Sequence, residues 1–397
     1  MTIGGYRALL ATGAGVLMLA GCGAGGDDNE AADEDESTPH GYVEGAEETA
    51  EAQWRLVLAD TDSGGLHMLD PATEEVTEVG EVPGTRRAVT DGRFVYLEGE
   101  AETTVFDSGT WTVDHGDHVH YYRAEHTMVG GAGAGENIRV AGDGSVTALT
   151  SDDRIDVLDR GAMEDDGELS VAATVEGTAA LTHSAHLLVA EATGSDEVAV
   201  LDRAGEPADV DLDAECAEPT AWSATQRGAV FACADGALVV TEDDDEFSAA
   251  DIDYADGAEP VESLHHRPTT AVLAGITADD EVQILNLAAE EWIHVDTDTT
   301  PVAASAAGED MPVLVLDEDG VLRSYDPEDG SELAENELIT APVAGEPTPQ
   351  IWIDTERAYI NDANGGVVHE IDYNDDLRTA RTFELDFTPD LMVETGW

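Results

Sequence analysis

From Trp54 to Trp397 the sequence repeats one pattern: a short apolar run, a polar turn with Asp or Gly, then a second run closed by Asp or Asn. The pairs begin with Arg55–Asp60 and Leu66–Asp70, then Arg93–Leu97 and Thr104–Asp107. Ser145–Val146 pairs with Ile155–Asp159, and His186–Ala190 with Val198–Asp202. Ala229–Cys233 pairs with Ala237–Val240, and Thr270–Ala274 with Val282–Asn286. The last two are Pro312–Asp317 with Val321–Asp326, and Arg357–Asp362 with Val367–Asp372. Runs of four to eight apolar residues bounded by turn residues read as buried strands. No stretch reads as a helix of normal length. An all-strand chain with a period of about forty residues is expected to be a β-propeller. Eight units predict eight blades. Seven is the alternative, if one unit is split between the ends. A sandwich of unrelated hairpins would be shorter. No Trp-Asp signature marks a WD40 array. Turns such as Asp235-Gly236, Asp319-Gly320 and Asn364-Gly365 suit hairpins, where glycine supplies positive φ, better than calcium loops.

The segment before the repeats reads as an export signal followed by a tether. Arg7 precedes an apolar run, Ala8 to Ala20, too short to span a bilayer comfortably. Leu19-Ala20-Gly21-Cys22 has the form of a bacterial lipobox. Residues 1–21 are therefore expected to be a lipoprotein signal peptide, with Cys22 carrying the lipid that holds the chain outside the cell membrane. Residues 22–51 are acidic, poor in apolar side chains and expected to be a disordered tether. The propeller is expected to occupy 52–397. In an exported chain the remaining pair, Cys216 and Cys233, is expected to form a disulfide. A thiolate metal site is the weaker reading, because no CxxC spacing is present.

Charge sets the surface. There are 88 acidic residues against 16 basic ones, all arginine, for a net charge of −72. Such a surface repels nucleic-acid phosphates and anionic lipids, so membrane contact is expected through the lipid alone. Self-repulsion on this scale becomes tolerable when the Debye length shrinks to about 3 Å at 1 M salt, which points to halophilic adaptation. Most of the carboxylates are then solvation rather than sites.

Histidine is the residue type that stands apart. Four of the 12 histidines fall between Asp114 and His126: His115, His118, His120 and His126. Imidazole and carboxylate suit a borderline divalent metal, zinc before copper(I). In a strand His118 and His120 share a face, and Gly116 lets the chain turn His115 or Asp117 toward them. The expected ligands are His115, Asp117, His118, His120 and His126. The pairs His183/His186 and His265/His266 are possible additional ligands; His67, His294 and His369 read as structural. The segment Val105–Arg139 is the longest interruption of the repeat, as expected of a functional loop.

The Asp114-His115-Gly116-Asp117-His118-Val119-His120 loop, the element Cys233-Ala234-Asp235-Gly236-Ala237-Leu238-Val239-Val240 downstream of Cys216, and the exported repeat together resemble the AztD family of zinc chaperones. Ala358-Tyr359-Ile360-Asn361-Asp362 and Glu370-Ile371-Asp372-Tyr373 are similar to actinobacterial relatives. The resemblance implies a non-enzymatic protein that binds Zn²⁺ outside the membrane and delivers it to the solute-binding protein of a zinc ABC transporter. The family also has a flexible metal-binding segment near its N-terminus; this chain is acidic there and has His40 alone. Metal binding requires neutral imidazoles, so affinity is expected to fall as pH drops through about 6.5. The alternative is a lipid-anchored scaffold for proteins or glycans. A metal-dependent hydrolase would need a base such as Glu125, and no other feature supports turnover.

Overall fold

In this computed structural model the described residues are 41–397, except 117, 134, 191–194, 211, 245, 256, 341–342 and 344–346. The expected signal peptide, Cys22, His40 and Asp117 lie outside them. The unit from Gly41 to Trp397 is all-β. Its described residues contain thirty-three strands and one short π-helical turn, Ala162–Asp166.

The sheets follow one another along the chain, and all their pairings are antiparallel. β1 (Glu47–Thr49) belongs to an insertion taken up below. The first sheet holds β2 (Arg55–Ala59), β3 (Gly65–Asp70) and β4 (Glu75–Glu81). The second begins with β5 (Arg87–Thr90), β6 (Phe94–Glu98) and β7 (Thr103–Asp107). The chain then departs through β8 (Thr110–Asp114) and β9 (Val119–Arg123), and returns as β10 (Thr127–Ala132) on the far side of β7. The third sheet is β11 (Arg139–Gly142), β12 (Val146–Ser151), β13 (Arg154–Asp159) and β14 (Val171–Glu176). The fourth is β15 (Ala179–His183), β16 (His186–Ala190) and β17 (Ala199–Leu201). The fifth is β18 (Ala221–Thr225), β19 (Gly228–Ala232), β20 (Gly236–Asp243) and β21 (Glu246–Asp253). The sixth is β22 (Val272–Ile276), β23 (Val282–Asn286) and β24 (Glu291–Val295). The seventh is β25 (Pro301–Ala306), β26 (Val313–Asp317), β27 (Val321–Tyr325) and β28 (Glu332–Glu337). The eighth is β29 (Ile351–Ile353), β30 (Ala358–Asp362), β31 (Val367–Asp372) and β32 (Arg378–Glu384). β33 (Leu391–Thr395) goes back to pair with β2 in the first sheet.

The core lies in seams between consecutive sheets. Ile155 and Val157 of the third meet Leu187 and Val189 of the fourth. Leu314 and Leu316 of the seventh meet Ile360 and Ile371 of the eighth. Tyr359 and Val368 of the eighth meet Leu56 and Leu58 of the first, so the run of sheets returns to its start. Each fully buried Leu or Ile side chain contributes about 1.5–3 kcal/mol. The arrangement is propeller-like. Cys216 and Cys233 form the expected disulfide, across 17 positions. Cys216 also donates its N–H to the Asp196 carbonyl at 2.7 Å, beside the fourth sheet, while Cys233 follows β19 of the fifth. Closing a loop of this length contributes about 3 kcal/mol by the chain-entropy estimate.

The sequence assigns residues up to 51 to the tether, yet Glu47–Thr49 are a strand. β1 pairs with β9, in the register Glu47↔Arg123, Glu48↔Tyr122 and Thr49↔Tyr121. Its acidic side chains meet a guanidinium and an imidazole of the inserted hairpin, which supplies order that apolar content alone does not.

Candidate metal centre

The hairpin β8–β9 is anchored at its root and open at its tip. Trp111 of β8 stacks on Tyr122 of β9 with ring centroids 5.1 Å apart. The Arg93 guanidinium lies 3.9 Å over Trp111 and is itself held by Asp107 through bonds of 2.8–3.2 Å. Thr112 donates its hydroxyl to the Gly396 carbonyl at 2.6 Å. At the tip the His115 N–H donates to the His118 carbonyl at 3.0 Å, and the Gly116 N–H to Asp114 Oδ1 at 2.7 Å. Gly116 has φ +84°, a conformation glycine adopts without cost. This turn folds His115 back over the start of β9, where His118 and His120 follow.

The three rings form one group. Centroids are 4.9 Å apart for His115–His118, 5.3 Å for His115–His120 and 4.8 Å for His118–His120. One ligand atom from each lies within 4.8 Å of the others. At zinc–nitrogen bonds of about 2.0–2.1 Å, tetrahedral ligand nitrogens stand about 3.3 Å apart, so side-chain rotation of the order of 1 Å closes the set. His115 and His118 are exposed and His120 is buried. His120 Nδ1 lies 2.7 Å from Glu48 Oε1. The group can therefore hold a metal ion.

No protein-family model matches the chain, and no curated protein matches it in sequence. Its structure is similar to two solved structures of AztD from Citrobacter koseri, one of them the apo form. The TM-score is 0.70 in both cases, at 15% and 16% identity, covering 87% of this chain and 98% of the AztD chain. The chain has an AztD-like fold. Dihydro-heme d1 dehydrogenase NirN in complex with DHE shares the architecture less closely, with a TM-score of 0.54, 13% identity and coverage of 86% of this chain and 75% of that one. The computationally designed Ika8 protein does so with a TM-score of 0.52, 15% identity and coverage of 79% and 91%.

Of the remaining predicted ligands of the AztD-like chain, Asp117 lies outside the described residues and the histidines lie elsewhere. His126 is exposed in the link between β9 and β10, its ring 6.0 Å from that of Phe106, and it is not part of the three-histidine group. β9 runs on from His120 to Arg123, toward the root of the hairpin, before the link that holds His126. His183 and His186 face each other across β15 and β16, through a turn in which Ser184 and Ala185 have positive φ. Both rings stand edge-on to Phe247, and His186 Nδ1 lies 2.8 Å from the Ser184 carbonyl. Burial lowers the His183 pKa, against the raising field of Glu242. His266 has both ring nitrogens engaged. Nδ1 faces the Arg267 carbonyl at 2.8 Å and so carries the proton, and Nε2 accepts from the Ser223 hydroxyl at 2.7 Å. No lone pair remains for a metal. Burial lowers its pKa to about 4. His265 is also lowered, by burial and then by the nearby Arg139 and Arg87.

Proposed function

We propose that this chain is an extracytoplasmic zinc carrier built on an eight-bladed propeller, each of the eight successive sheets being one blade. The observation that carries the reading is the convergence of His115, His118 and His120 on one hairpin tip. Imidazoles favour Zn²⁺ over Mg²⁺ or Ca²⁺, which take oxygen ligands. Three protein ligands leave a fourth position for an incoming group. Two of the three rings face solvent, so an acceptor's side chain can enter that position and take the ion by stepwise ligand exchange. The AztD-like fold supports the same reading. The receiver we propose is the solute-binding protein of a zinc ABC transporter, and the role is delivery rather than turnover. Lipidated Cys22 would hold the carrier on the outer face of the cell membrane, and the acidic surface would keep it soluble at high salt.

The test is zinc binding by competition with a chelating dye at high salt. It compares the chain from Gly23 with a variant in which His115, His118 and His120 are all alanine. One tight site in the parent, absent from the variant, is the expected result. Equal, weak binding by both would remove the metal role and leave a lipid-anchored scaffold for proteins or glycans. Transfer is checked by mixing the loaded carrier with the solute-binding protein. Movement of zinc faster than its release to the dye is expected.

A further inference from the structure

Among the described residues, the short strand β1 pairs with no sheet except the hairpin that bears the histidines. Its segment also grips that hairpin at four points, one of them the Thr49 hydroxyl donating to the Tyr121 carbonyl at 3.3 Å. Arg123 Nη2 donates to Glu47 Oε2 at 2.7 Å. The Tyr122 hydroxyl donates to the Gly41 carbonyl at 3.0 Å. Glu48 Oε1 lies 2.7 Å from His120 Nδ1. Gly41 makes this approach possible. It has φ +80°, and a Cβ there would lie 2.9 Å from Glu48 Oε2 and 3.0 Å from His120 Nδ1.

We infer that Glu48 is the positioning residue of the metal group. Resting on the zinc reading above, it goes further by assigning a role to a carboxylate outside the ligand set. The Nδ1–H of His120 donates to Glu48, which fixes the tautomer and directs the Nε2 lone pair toward the ion. A carboxylate behind a ligating imidazole also strengthens the ring as a donor. His120 is the buried member of the group, so its ring is the one whose orientation the protein can set in advance. Glu48 is 48% exposed. An ion pair so open to water adds little to folding stability. Its effect belongs on the metal.

The experiment measures zinc affinity by dye competition in the full mature chain. It compares the parent with Glu48→Ala, Glu48→Gln, Glu47→Ala and His120→Ala. Glu48→Ala is expected to weaken binding about 10- to 100-fold, the range for loss of a carboxylate behind a histidine ligand. Glu48→Gln keeps a carbonyl acceptor and is expected to recover part of the loss. Glu47→Ala removes the neighbouring ion pair and leaves affinity within about twofold, since exposed pairs contribute little. In Co²⁺-loaded protein the ligand-field bands are expected to shift for Glu48→Ala and not for Glu47→Ala. Metal-free thermal midpoints are expected to agree between those two variants. Parent-like binding by Glu48→Ala overturns the inference and leaves the zinc site standing. Equal weakening by Glu47→Ala and Glu48→Ala also overturns it, because strand docking would then be the cause. Equal, weak binding by parent and His120→Ala removes the zinc reading and this inference with it.

Discussion

On the tip of hairpin β8–β9 three imidazoles converge, two of them open to water. At the edge of the sixth sheet His265 and His266 are adjacent in sequence, yet neither belongs to a metal-holding group among the described residues. His265 pairs through its backbone with Ala274 of β22, and the His266 ring joins Ser223 of the fifth sheet to the loop at Arg267. Both regions are dense in histidine, so residue type does not separate them. What separates them is how the rings are held. In the hairpin the three rings pack against one another, and Nδ1 of His120 faces the Glu48 carboxylate. At the sheet edge a carbonyl and a hydroxyl engage both nitrogens of His266. Burial there also removes the water that would solvate an imidazolium, which is why its pKa falls to about 4.

The largest effect that sharpens this contrast is on zinc. His118→Ala is expected to weaken binding at least about 100-fold by dye competition, beyond what loss of an outer carboxylate costs. Its metal-free thermal midpoint should barely move, since the ring is exposed. His266→Ala is expected to do the reverse. It strands the Ser223 hydroxyl and costs about 1–3 kcal/mol in denaturant unfolding, with zinc affinity unchanged. A fall in zinc affinity in this variant would break the contrast. Acid sharpens it further. His266 is neutral when folded and takes up a proton only when unfolded, once pH falls below the ordinary value of about 6.5. Its contribution is therefore complete above that pH and is lost as pH falls toward the folded value of about 4. The slope is at most about 1.4 kcal/mol per pH unit for one proton. The stability of His266→Gln, followed by denaturant unfolding from pH 7 to 4.5, should fall less steeply than that of the parent.

How much of this was legible in the sequence follows from where the causes lie. Six of the eight strand pairs read from the repeat are central strands of their sheets; in the other two, β17 and β22 lie at the edges of three-stranded sheets. Arg357–Asp362 and Val367–Asp372 become β30 and β31 because both of their faces are covered, which leaves a continuous apolar signal. Their outer neighbours gave no such signal. β28 reads Glu-Leu-Ala-Glu-Asn-Glu and has alternate side chains exposed. It is a strand because β27 offers it a ladder, a cause that lies outside its own six residues. Acidic side chains on such edges also discourage pairing between molecules. The metal group was legible because its three histidines are five positions apart at most and the turn at Gly116 is local. Glu48 was not. It is one of 88 acidic residues, and its partner lies 72 positions away. Nor was the saturation of His266, whose hydroxyl partner lies 43 positions away.

The smallest expected effect tests the boundary of the metal group. Sequence spacing groups His126 with the other three, because thirteen residues contain all four. Proximity in sequence is a poor guide along a strand, where each residue adds about 3.3 Å. The β9 register takes the chain from His120, opposite Val113, to Arg123, opposite Thr110, and so away from the tip. Beyond Arg123 it turns into β10, and the His126 ring comes to rest by Phe106 of the second sheet. His126→Ala is therefore expected to leave zinc affinity within about twofold, because its ring rests by Phe106 and not in the three-histidine group. A loss of tenfold or more would mean that the β9–β10 link folds back over the tip when the ion binds. The contrast between the two regions would then need a third term, since the ligand set would be completed by movement rather than held ready on the hairpin.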